Sequence, residues 1–85
     1  MQILVSIHYF VNDIKSLRNG YFKVDEKKFK SDPDQEAAKV TYEWYRKIKR
    51  EFIYPVTLHR ALYDEIDITG KVKELEQWQL NQADE

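Results

Sequence analysis

Ser31-Asp32-Pro33-Asp34-Gln35-Glu36-Ala37-Ala38-Lys39-Val40-Thr41-Tyr42-Glu43-Trp44-Tyr45-Arg46-Lys47-Ile48-Lys49-Arg50-Glu51-Phe52 is the run on which the fold turns. Proline is tolerated at a first helical position, because the N–H it lacks has no partner there anyway. With Asp32 as N-cap, Gln35 falls at the third helical position, the spacing of a capping box. Ala37, Val40, Thr41, Trp44, Ile48 and Phe52 then recur at helical spacing and form one apolar stripe. Asp34 and Glu36 lie in the first turn and Arg46, Lys47, Lys49 and Arg50 near the end, which complements the helix dipole. The pattern predicts a helix over Pro33–Glu51.

The flanking segments read as a sheet that covers this helix. Gln2–Val11 alternates, with Ile3, Val5, Ile7, Tyr9 and Val11 on one face and Leu4, Ser6, His8 and Phe10 on the other. Apolar residues on both faces predict a central strand. Asn12-Asp13 and Asn19-Gly20 are turn signals, and Asn-Gly is the stronger because it suits the two positive φ angles of a type I′ turn. That places a second strand over Tyr21–Glu26, leaves Ile14–Arg18 as loop or short strand, and reads Lys27, Lys28 and Lys30 as a strand end or exposed loop. Pro55 holds Tyr54 extended. Val56–Tyr63 alternates as a third strand, Asp64-Glu65 makes a tight turn, and Ile66–Ile68 returns. Thr69 is placed to cap a last helix with Ile68, Val72, Leu75 and Gln79 on its inner side.

The expectation is an α+β domain, β-β-α-β-(β)-α, with an antiparallel sheet of three or four strands, order 2-1-3, packed on one long helix. Residues 1–80 make one compact domain and 81–85 a frayed tail. The 85 residues include no cysteine, which excludes disulfides and thiolate chemistry and suits a reducing cytoplasm. Met1–Val11 is too short to span a bilayer and lacks a basic flank, so neither a signal peptide nor a membrane segment is read. Net charge is −1, but Lys15–Arg60 carries 12 Lys/Arg against 7 Asp/Glu, whereas Ala61–Glu85 carries 2 against 7. Such asymmetry marks a basic contact face, an acidic end, or two halves whose charges meet each other.

Catalytic patterns are missing. His8 and His59 fall on strands expected to be neighbours, but no third ligand stands at fixed spacing. No serine lies in a nucleophile elbow, and Gly20 and Gly70 stand alone, so no phosphate loop forms. Asp64, Glu65 and Asp67 cluster where turn chemistry already calls for acidic residues. These features predict no enzyme, no metal, no cofactor and no small-molecule substrate.

The aromatics are the remaining signal: six tyrosines, four phenylalanines and two tryptophans. Tyr42 and Tyr45 flank the helix stripe beside Arg46, Lys49 and Arg50, and Trp78 stands on the last helix, only partly covered. Tyr, Trp and Arg are the usual anchors of protein interfaces. The same mixture suits nucleic-acid contact through the basic helix face 46–50. The blander reading has the tyrosines edging the core with their hydroxyls in water. Among binding readings, a protein partner or a second copy is favoured over nucleic acid, because the last quarter is acidic.

Tyr63-Asp64-Glu65-Ile66-Asp67-Ile68-Thr69, then Val72, resembles the end of many small uncharacterised phage and prophage proteins of Gram-positive bacteria. In those, an aromatic, a tight acidic or glycine turn, Asp-Ile-Thr and a valine precede a last helix. The resemblance implies a mobile-element accessory protein that binds and modulates a host component, with no catalytic residues to carry over.

Overall fold

A computed structural model describes the backbone of residues 1–83 and the side chains of residues 1–80. The chain runs β1 (Gln2–Val11), β2 (Ile14–Lys23), α1 (Glu26–Ser31), α2 (Pro33–Arg50), β3 (Val56–Tyr63), β4 (Ile66–Asp67) and α3 (Thr69–Ala83). All strand pairs are antiparallel, in the order β2-β1-β3-β4. The helices share one face, so the fold is the α+β arrangement expected, with β1 central. Ile3, Val5, Ile7 and Tyr9 of β1 are buried beneath the helices together with Leu58, Ala61 and Tyr63 of β3. No helix is long and apolar enough to cross a membrane among the described residues.

The long helix starts as its sequence dictates. The Asp32 side chain accepts from the Gln35 N–H at 3.3 Å and Pro33 takes the first turn. The reciprocal half of a capping box is not needed, because the Asp32 N–H donates to the Lys28 carbonyl of α1. The buried stripe is Ala37, Ala38, Thr41, Tyr45 and Ile48, rotated from the expected one, and Val40 and Trp44 are only half-buried. Two small alanines let the helix approach the sheet, and Tyr45 fills the wider space beyond them.

The first hairpin differs from expectation. Asn12 and Asp13 have φ of 51° and 66° and form the two-residue turn themselves. β2 therefore begins at Ile14 and passes straight through Asn19-Gly20 to Lys23, so Ile14–Arg18 is strand and the segment after Lys23 is not. Gly20 has another task. A Cβ there would lie 3.1 Å from Phe22 Cε2 and 3.2 Å from Trp44 Cη2, so the missing side chain admits the indole. The lysines expected on a strand end or loop lie on α1, whose cap Asp25 accepts from the N–H groups of Lys27 at 2.9 Å and Lys28 at 3.1 Å.

β3 does not alternate throughout. Its register against β1 shifts between His8 and Tyr9, so His59 is an extra residue in a bulge. The inward positions consequently change from Val56 and Leu58 to Ala61 and Tyr63. The turn at Asp64 and Glu65 again uses two positive φ angles, 47° and 71°, without glycine. Asp64 is held there by two bonds to Leu4: its N–H donates to the Leu4 carbonyl at 2.8 Å, and its carboxylate accepts from the Leu4 N–H at 2.9 Å. At the last helix, capping passes from Thr69 to Asp67, whose carboxylate accepts from the Thr69 N–H at 2.9 Å. The Thr69 hydroxyl instead accepts from the Ala61 N–H at 2.9 Å and ties the helix start to β3. α3 continues through Ala83, so residues 81–83 of the expected tail are helical and 84–85 lie outside the described residues.

Candidate functional site

α2 and α3 lie side by side, and the seam between them opens to solvent. Tyr42 and Arg46 project from α2, one helical turn apart, and Leu75, Trp78 and Gln79 from α3. With Lys39 and Glu43 they line a groove of about 150 Å³. Lys39, Leu75 and Trp78 also border a broader depression of about 470 Å³ completed by Gln35, Lys71 and Glu74. Trp78 is thus the ridge shared by both hollows, and it is 58% exposed. Arg46 stands 5.9 Å from the Tyr42 ring centroid, where cation–π attraction holds the guanidinium over the groove. Partial burial raises the Tyr42 hydroxyl above its ordinary value against the opposing pull of Arg46.

The structure brings together three of the six residues singled out from sequence: Tyr42, Arg46 and Trp78. Lys49 stands apart, bound to Glu76 at 3.3 Å across the helices. Arg50 is exposed beside Arg46, Lys47 and Glu43 on the outer side of α2. Tyr45 is a correction. It is 1% exposed and donates its hydroxyl to the Val56 carbonyl at 3.2 Å, so it is a core residue and not a surface anchor. Its position follows from the stripe, because 41, 45 and 48 repeat at helical spacing as regularly as 41, 44 and 48. Leu75, an inner position by the helical pattern, packs against the core and also lines both hollows, a double role that spacing alone does not reveal.

Nor do the basic residues form one surface. Lys27, Lys28 and Lys30 sit on α1, against the start of α2. Arg46 begins about 20 Å further along at 1.5 Å per residue. Glu43 stands beside Arg46, Glu74 near Lys39 and Lys71, and Glu76 pairs with Lys49, so acidic side chains are interspersed with the basic ones. The histidines are near each other on the opposite face of the sheet. His8 pairs in register with Arg60, and the His59 ring meets Phe10 edge-on at 5.3 Å. Burial and then the charges of Lys15, Arg60 and His59 hold His8 below its ordinary value. Among the described residues no group of three His, Cys, Asp or Glu is arranged to hold a metal.

The hydroxyls of two core tyrosines, Tyr45 and Tyr63, give the fold a pH limit. Burial, and then Glu76, push Tyr45 up to about 12, and burial, then its bond to Asp34, does the same for Tyr63. Both groups fold neutral, so their stabilisation is complete below the ordinary tyrosine value near 10 and is lost as pH rises from about 10 to about 12. In an alkaline titration, two of the six tyrosines are expected to ionise only as far-ultraviolet circular dichroism collapses. Ionisation of all six with the fold intact would refute their placement.

No family model matches the chain, and neither a curated protein nor a solved structure matches it.

Proposed function

We propose that this chain is a small non-enzymatic protein-binding module that seats a partner on the α2–α3 groove. The observation that carries this reading is Trp78, more than half exposed beside Tyr42, Arg46 and Leu75. A large indole left in water on a ridge between two hollows, with an arginine within cation–π range of a tyrosine next to it, has the composition of an interface centre. Mixed charge around it, from Lys39, Lys71, Glu43 and Glu74, gives a polar rim. The similarity of Tyr63–Val72 to phage and prophage proteins supports the same class: an accessory protein that occupies a host component's surface. The absence of cysteine suits work in the cytoplasm.

Nucleic-acid binding through the basic helix face 46–50 is the alternative, and the two part on salt. A phosphate-driven complex loses about one unit of log-log salt slope per phosphate neutralised. The test is a pull-down from the source cell, with and without nuclease, at low and high salt. One stoichiometric protein should survive both treatments. Its affinity should fall about 30- to 1,000-fold with Trp78→Ala or Tyr42→Ala, the range of interface anchors. Recovery of only nuclease-sensitive, salt-sensitive material, lost with Arg46→Ala and Arg50→Ala but not Trp78→Ala, would overturn the reading.

A further inference from the structure

The sheet ends on one side in β4, two residues long, and on the other in β2, ten residues long. β2 pairs with β1 along its whole length, contains no proline and has no bulge in that pairing. Its free edge is of known polarity. Leu4 directs both its N–H and its carbonyl to Asp64, on the β3 side, so the Leu4–Tyr21 pair is a non-hydrogen-bonded one. By alternation the same holds for His8–Leu17, Ser6–Asn19 and Phe10–Lys15. The amides and carbonyls of Lys15, Leu17, Asn19, Tyr21 and Lys23 therefore point out of the sheet. Their side chains share the face away from the helices, where Leu17 is 52% and Tyr21 71% exposed.

We propose that β2 pairs antiparallel with β2 of a second copy, about a two-fold axis at Asn19, to make a continuous eight-stranded sheet. In this register Asn19 faces Asn19 of the second copy, and Leu17 faces its Tyr21. The two exposed apolar side chains on this face of β2 thus cover each other twice, in directly opposed aromatic–aliphatic pairs on either side of Asn19. A shift of two residues one way opposes Arg18 to itself and Leu17 to Asn19; the other way opposes Leu17 to Lys23. Only the central register joins the apolar pair. Arg18 then faces Gly20, which has no side chain to obstruct it. Its charge is already engaged by the Glu51 carboxylate at 2.7 and 3.1 Å. α2 and α3 pack over β1 and β3, and β2 is capped from above by Trp44 on Phe22, so the helices leave the edge open. The one repulsion is Lys15 against Lys23 at each end, and salt screens it. The interface is separate from the α2–α3 groove and stands whether or not that groove binds a partner.

Sedimentation of the full chain up to about 1 mM, where weak pairing is populated, provides the test. A monomer–dimer equilibrium is expected that tightens as sodium chloride rises from about 50 to about 500 mM. Hydrogen exchange should show the Leu17, Asn19 and Tyr21 amides gaining protection with concentration, while those of Ser16, Arg18 and Gly20 are protected throughout. Asn19→Pro removes an outward N–H that the β1 ladder does not use and should abolish the dimer. Tyr21→Lys, at a position 71% exposed and outside the core, should do the same. A monomer at all concentrations and both salts would overturn the proposal, including one that captures an added acidic strand peptide. So would a dimer unaffected by both variants, whether or not Trp78→Ala abolishes it, or one that weakens as salt rises.

Discussion

Tyr45→Ala is expected to cost about 3–5 kcal/mol, most of what a domain of this size has. Three losses add. The ring leaves a cavity between Thr41 and Ile48 that the rigid helix and strand cannot close. The Val56 carbonyl loses its donor while still buried. The Lys49 ammonium, 5.4 Å from the ring centroid, loses its π-face. Tyr45→Phe separates the second loss from the first and should cost only about 1 kcal/mol. Urea denaturation followed by circular dichroism measures both. If Tyr45→Ala melted close to wild type, the core would have to be redrawn about Trp44.

Gly20→Val should destabilise by about 1–3 kcal/mol, although valine favours strands and glycine does not. The reason is contact. The added side chain enters space held by Trp44 and Phe22, whose rings lie 4.8 Å apart, and the indole must swing away. Trp44→Ala alone removes the half-buried indole and should cost about 2 kcal/mol. Combined with Gly20→Val, it should cost less than the two changes summed, because the indole is the obstruction. Additive effects in that cycle would show that Gly20 is required for some reason other than the tryptophan above it.

Where sequence and structure agree, one physical pattern dominated locally. The cap at Asp32-Pro33, the charge order of α2 and the two-sided apolarity of β1 each had a single good solution, and together they specified class, strand order and helix position. Where they part, two solutions were locally equal and a distant contact decided. Asn12-Asp13 and Asn19-Gly20 both suit a turn; Trp44, met only in three dimensions, needs the glycine inside a strand. Tyr45 and Trp44 both fit the helix stripe, and the carbonyl of Val56 selects the tyrosine. The bulge at His59 left one local mark, since unbroken alternation from Val56 would turn the charged Arg60 inward, but only pairing with β1 fixes where the extra residue falls. Tyr42, Arg46 and Trp78 were legible as exposed anchors, but their meeting depends on how α3 returns across the sheet.

The central place of β1 sets an order of events in time. β2 follows β1 after two residues and satisfies one side of it at once, but β3 begins roughly 45 residues later. At about 5–20 residues per second, a ribosome takes several seconds to make that interval. Through it, the amides of β1 that will meet β3 stand open, Leu4 among them, awaiting Asp64 from the far end of the strand. The nascent chain can already form its first hairpin and both helices α1 and α2 in this window, so the long helix is available to shield the apolar face of β1. What waits unprotected is one strand edge, closed only when the last third of the protein emerges.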